Sequence, residues 1–177
     1  MSQVVQTNTD EVDRLLARVA ALFDGIVPNL YRVLARNPVT LRAFVDLETA
    51  LDTAPVLGNG AHALIALEVA VRAGCRYCEG VFVKEAAAAG IAKASVDAVR
   101  RGGQPAVPAD AVVVEATRRL IESDGRLGHL ERARFREAGI GQAELLEMLT
   151  VIATYSLATR ANNLARTRID PEYRLDP

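Results

Sequence analysis

The stretch ALIALEVAVRAGCRYCEG, Ala63 to Gly80, decides how this chain is read. From Ala61 to Ala73 nearly every residue is apolar and a good helix former, which predicts a helix buried on all sides. Gly74 can close it, and a second helix is predicted from about Cys75 to Ala89, stopped by Gly90. Glu68 is the one formal charge between Thr53 and Val71. A carboxylate in so apolar a helix is either partnered or a perturbed acid, because burying it bare is costly.

Outward from this core the periodicity stays helical. Val12, Leu15, Leu16, Val19, Leu22 and Phe23 recur at helical spacing between Asn8 and Gly25, with Asn8 and Glu11 placed as a capping box. Pro28 can open a short helix ending near Asn37, and Pro38 a third that runs toward Pro55. On the other side, Ser95 can cap a short helix through Arg101. Gly102, Gly103, Pro105 and Pro108 form the least regular linker, the one possible subdomain boundary. Helices are then predicted over about Ala109 to Ser123, His129 to Ala138 and Gln142 to Ala165. The last is apolar on nearly all of its circumference, so it should be sheathed by other helices or by another subunit. Alternation of the strand kind is confined to Val112 to Val114, among helix formers. The fold class read from this pattern is all-α, in one domain spanning residues 1–177.

Composition narrows the function. A chain of 177 residues with 50% hydrophobic and 24% charged residues is a globular protein, long enough to build a core without staples. Its 21 basic residues nearly cancel 22 acidic ones, which leaves no field that would draw it to nucleic acid. The longest uncharged run, Thr53 to Leu67, is broken by Pro55, Gly58, Asn59 and Gly60 before it reaches the ~20 apolar residues of a membrane span. The first residues, MSQVVQTNTDE, carry no basic region and no apolar run of signal-peptide length, so a cytoplasmic location is expected. In that compartment the only two cysteines, Cys75 and Cys78, are too close together to staple distant segments.

Their spacing has a chemical logic instead. Residues three apart share a helix face, and the unpaired amides of a first helical turn favour a thiolate over a thiol. One sulfur can attack an oxidant or a disulfide, and the other can resolve the product as a small intramolecular disulfide. Arg76, between them, adds a positive charge nearby. Two plainer readings stand beside this one: buried cysteine can be a small hydrophobe, and two thiols can belong to a zinc site. Zinc would need His62 or His129, neither in paired ligand spacing, so no metal or other cofactor is expected.

These residues resemble the alkylhydroperoxidase D-like, carboxymuconolactone decarboxylase-like superfamily. The resemblance is carried by PNLYRVLARNPVTLRAFVDLETAL (Pro28 to Leu51), by the apolar helix running into Gly-Cys-x-Tyr-Cys, and by AGIGQAELLEMLTVIATYSLATRANNLA (Ala138 to Ala165). It implies an oligomeric all-helical bundle, a trimer or hexamer, and a peroxide-reducing site built from a Glu, two cysteines and a His. By that resemblance Cys78 is the sulfur that attacks peroxide, and Cys75 the more accessible one that exchanges with a reductant, either a dithiol such as dihydrolipoamide or a redox protein. The relay Glu and His positions fall on Ala63 and Phe82. Loss of both proton-handling groups leaves a slow peroxidase unless others substitute, since such groups are each worth ~100- to 10,000-fold.

Glu68, seven residues before Cys75, is the first candidate substitute, with a salt bridge to an arginine as its alternative. Glu79 reads as solvated or as a subunit contact, His62 as exposed, and Tyr77 and Tyr155 as core or interface residues. The expected activity is therefore dithiol oxidoreduction through Cys75 and Cys78, assisted by Glu68, toward a peroxide or a disulfide. The alternative is a catalytically silent helical oligomer that binds or scaffolds. Lactone decarboxylation is a weaker third reading, because nothing in the chain marks a lactone-acid pocket.

Overall fold

A computed structural model describes residues 2–53 and 55–175, with side chains from residue 9 onward. Among the described residues the regular structure is entirely helical, which agrees with the all-α reading. The helices are α1 (Ser2–Leu22), α2 (Asn29–Leu34), α3 (Pro38–Thr53), α4 (Asn59–Arg72), α5 (Arg76–Ala88), α6 (Lys93–Arg100), α7 (Pro108–Glu122), α8 (His129–Glu137) and α9 (Gln142–Ala165), followed by a 3₁₀ turn at Pro171–Tyr173. No helix among them is long and apolar enough to cross a membrane.

α4 is the axis of the bundle, with α5, α6, α7 and α9 packed around it. Leu64, Ile65, Ala66, Leu67 and Ala70 are excluded from solvent, so its apolar composition translates directly into burial. α9 lies across α2, α3, α4, α5 and α7, and buries Met148, Val151, Thr154, Ala158 and Asn162 along one face. Its other face leaves Leu146, Leu149 and Leu164 exposed, so the chain sheathes this helix on one side only. The Gly/Pro-rich linker does not set α7 apart, since α7 packs against both α4 and α9.

Two predicted helix starts are corrected. α1 runs through Asn8 from Ser2, so Asn8 is not a cap; its side chain lies outside the described ones. α6 begins at Lys93 after Ala92, which puts Ser95 inside the helix, where its hydroxyl is buried without a hydrogen-bond partner. The apolar face of Val96 and Val99 turns Ser95 inward and overrides its capping preference.

The junction between α4 and α5 positions the cysteines. Gly74 takes φ +60, its amide bonds Val71 O at 3.1 Å, and the Cys75 amide bonds Ala70 O at 3.0 Å. This paired closure ends α4 and delivers Cys75 as the N-cap of the next helix. Further along α5, Gly80 sits against the 3₁₀ turn so closely that a Cβ there would fall 1.9 Å from the Tyr173 carbonyl oxygen. Asp170 ties the same C-terminal segment to the site: its Oδ2 accepts from the Tyr77 hydroxyl at 2.6 Å and from the Asn29 amide at 3.0 Å.

Candidate active site

Both cysteines are free thiols, each 2% exposed. The hydrogen bond between the two thiols is the first cause of their inequality, and the amides at the head of α5 add to it. The Cys78 thiol donates to the Cys75 sulfur, the amides of Cys78 and Tyr77 point at it, and Asn162 adds a further hydrogen bond. Led by the Cys78 contact and opposed by burial, these bonds hold the Cys75 thiol down at about 7. Cys78 is pushed up, first by that same bond to Cys75, then by burial and the neighbouring charge. One proton therefore leaves the pair readily and the second does not. Asn162 reaches the deeper sulfur too, with Nδ2 3.3 Å from Cys78 Sγ.

The two sulfurs face different spaces. Cys75 lines an open groove of about 320 Å³ with Arg76, Asn163 and Arg166. Cys78 lines a narrow chamber of about 60 Å³ with Tyr31, Glu48, Phe82, Glu85 and Tyr155. Tyr31, Glu48, Glu85 and Tyr155 also border an outer cavity of about 450 Å³, which Arg18, Asp52 and His62 help to line. An organic group can thus lie outside while its reactive end enters the chamber.

The expected substitute, Glu68, is placed elsewhere. Its carboxylate is 3% exposed and accepts from Arg72 Nε at 2.7 Å and from Arg118 Nε and Nη2 at 3.0 and 2.9 Å. It lines neither space beside the sulfurs, so the ion-pair alternative is the observed arrangement and the assignment beside the thiols is corrected. The α4 face that carries Glu68 turns toward α7, where Arg118 meets it. Ala63 and Phe82 are both buried, and Phe82 packs edge-on against Tyr155 with centroids 4.6 Å apart. Glu79 pairs with Arg100 at 2.8 Å. His62 is half-buried rather than exposed, with Nε2 2.6 Å from Glu147 Oε1; the same carboxylate caps the amides of Val56 and Leu57.

Sequence reasoning passed over Glu48 and Glu85. They are thirty-seven residues apart on different helices, and no motif in the sequence joins them, so only the crossing of α3 and α5 with α9 reveals them as walls of one chamber. Glu48 accepts from the Tyr31 hydroxyl at 2.7 Å.

Residues 38–120, from the start of α3 through most of α7 and including both cysteines, match the Carboxymuconolactone decarboxylase family. That match and the solved structures of like fold both support the carboxymuconolactone decarboxylase-like, alkylhydroperoxidase D-like family. The chain's fold is shared by several solved structures. A peroxidase-related protein from Ralstonia eutropha JMP134, described as an alkylhydroperoxidase AhpD core, superposes with a TM-score of 0.81 at 19% identity, over 93% of this chain and 87% of that one. A peroxidase-related protein from Silicibacter sp. TM1040 gives 0.77 at 17% identity over the same shares, 93% and 87%. The debrominase Bmp8, solved as a cysteine-to-alanine variant with 2,3,4-tribromopyrrole, gives 0.70 at 16% identity, over 94% of this chain and 89% of that one. No curated relative matches the chain in sequence. The positions at which the resemblance expects a Glu and a His are held by the buried Ala63 and Phe82.

Proposed function

We propose that the protein is a dithiol oxidoreductase that reduces a hydroperoxide at Cys78 and is itself re-reduced through Cys75. The observation that carries this reading is the two-faced dithiol, both sulfurs buried: Cys78 lines a narrow chamber with acids in its walls, and Cys75, held near pKa 7, lines a more open groove. Transfer of the Cys78 proton to the Cys75 thiolate creates the attacking thiolate. Attack on the outer peroxide oxygen breaks the O–O bond, leaving a sulfenic acid on Cys78 and an alkoxide that takes a proton. The Cys75 thiol then attacks the sulfenic sulfur, and hydroxide leaves as water with the thiol's proton. The resulting disulfide is returned to the dithiol by an external reductant, which docks at the groove where Arg76 and Arg166 stand.

Peroxide consumption with dihydrolipoamide, measured beside Cys75→Ser and Cys78→Ser, tests the proposal. Turnover in the parent that disappears in both variants supports it. No turnover in the parent favours the catalytically silent binding or scaffold module, a reading encouraged by Ala63 and Phe82. The debrominase neighbour makes a halogenated heteroaromatic a worthwhile second substrate in the same assay, with halide release as the readout.

A further inference from the structure

We propose that Glu48, held by Tyr31, is the acid that protonates the leaving oxygen in the Cys78 chamber, in place of the relay groups this chain lacks. The inference rests on the peroxidase reading above and adds a residue to it.

Geometry carries the argument. Glu48 and Cys78 line the same chamber of about 60 Å³, a space for a few waters or a peroxy group, so a peroxy group that enters it has both the sulfur and the carboxyl in its walls. The Tyr31 hydroxyl donates to Glu48 Oε2 at 2.7 Å, which fixes the carboxyl and leaves Oε1 for the proton. Glu48 is half-buried and fixed by Tyr31, whereas Glu85, the other acid of the chamber, is exposed and, raised only to about 7, gives up its proton before Glu48 does. The groups around it do not supply a firm countercharge. Arg18 of α1 is exposed and engaged with Thr49 Oγ1 at 3.1 Å, and His62 of α4 is engaged by Glu147. Asp52 of α3 is a like charge, Glu85 of α5 is a second acid raised to about 7 by burial and then by Asp52, and Tyr155 of α9 and Tyr173 are neutral phenols. Burial pushes Glu48 up to about 8, opposed by the Tyr31 hydrogen bond and reinforced by Glu85 and Asp52, so it carries a proton at neutral pH.

The balance is complete. A hydroperoxide, the Cys78 thiolate and the Glu48 carboxylic acid become an alcohol, a Cys78 sulfenic acid and the Glu48 carboxylate. Condensation of the sulfenic acid with the Cys75 thiol forms the disulfide and water, and Glu48 regains its proton from water in the outer cavity.

Single-turnover oxidation of the reduced protein by hydrogen peroxide, followed between pH 5.5 and 9.5 for the parent and Glu48→Gln, is the test. Glutamine keeps the bond to Tyr31 but has no proton to give. We expect the parent rate to rise as the dithiol ionises near pH 7 and to fall above pH about 8, where Glu48 loses its proton. Glu48→Gln should be ~100-fold slower and should lack the alkaline fall, while reduction of its disulfide by dihydrolipoamide proceeds at the parent rate. Phe82→His, placed on the background of Glu48→Gln, should recover part of the loss by supplying a proton donor in the same chamber. A parent that is oxidised, with Glu48→Gln equally fast across the range, overturns the role of Glu48 alone. A parent that hydrogen peroxide does not oxidise overturns the peroxidase reading and this assignment with it.

Discussion

The side-chain amide of Asn162, near the C-terminal end of α9, donates to Cys78 Sγ at 3.3 Å across the interface with α5. It also contributes to the low pKa of Cys75, so one buried donor serves both sulfurs. Hydrogen bonds to a charged partner are worth roughly 1.5–3 kcal/mol, and one pKa unit is about 1.4 kcal/mol. Asn162→Ala should therefore move the first thiol titration up by about one unit from its value near 7. Asn162→Asp should move it further, because a carboxylate repels the thiolate. The rate of iodoacetamide alkylation against pH reads both shifts, and coincident curves for all three proteins would deny Asn162 this role.

Glu48 also predicts a pH dependence of stability. Its folded pKa, about 8, lies above its ordinary 4.5, so the folded state retains a proton that the unfolded chain gives up. The contribution is complete below pH about 4.5 and is lost as pH rises through about 8. Glu48→Gln does not titrate, so its melting temperature should gain on that of the parent across this window and level off above it. Thermal melts at half-unit intervals check the trend, and a constant difference would contradict the raised pKa.

Glu68 is expected to act on stability alone. Its three hydrogen bonds to Arg72 and Arg118 are the reason it can be buried in an apolar helix. Glu68→Gln leaves Arg118, itself mostly buried, without its countercharge. A loss of about 3 kcal/mol in denaturant unfolding is expected, the low end for breaking a buried pair, with activity per folded molecule preserved. A fall in activity at unchanged stability would return Glu68 to the chemistry.

Gly80→Ala should release the C-terminal turn from α5. The new Cβ would meet the Tyr173 carbonyl oxygen at 1.9 Å, a backbone atom that cannot rotate away. The Tyr77–Asp170 bond at 2.6 Å and the Tyr77–Tyr173 packing should weaken with it. Faster amide exchange at Tyr173 and Arg174 and quicker alkylation of Cys78 are expected, since Tyr173 forms part of that sulfur's chamber. Unchanged exchange would show that α5 shifts instead.

The unsheathed face of α9 predicts self-association. Leu146, Leu149 and Leu164 are 58%, 38% and 89% exposed, an apolar row that a closed oligomer, a trimer or hexamer, would cover. Light scattering at micromolar concentration should report a mass at least three times that of the 19.0 kDa chain, and Leu146→Glu with Leu164→Glu should lower it. A monomeric parent would refute the prediction.

Chemistry local to the chain makes several features legible in the amino-acid sequence. The apolar run of α4, Gly74 as its stop and the cysteines at the head of α5 are consequences of helix propensity, helix termination and spacing along one chain. The all-α class follows from the same periodicity, because the residues that must be buried recur at intervals that only helices satisfy. What surrounds the sulfurs depends on which helix faces cross. Glu68 has the same sequence context whether it meets a thiol or a guanidinium, and the packing of α7 against α4 decides for Arg118. Glu48 looks like an ordinary polar residue of an amphipathic helix until α2, α5 and α9 close around it, place the Tyr31 hydroxyl on its carboxyl and raise its pKa by burial. His62 likewise gains a carboxylate from Glu147, eighty-five residues away, which no local pattern encodes. Spacing within one helix is fixed by its 3.6-residue turn, whereas proximity between helices is set by the packing of whole faces, and the acids of this site are assembled by the second.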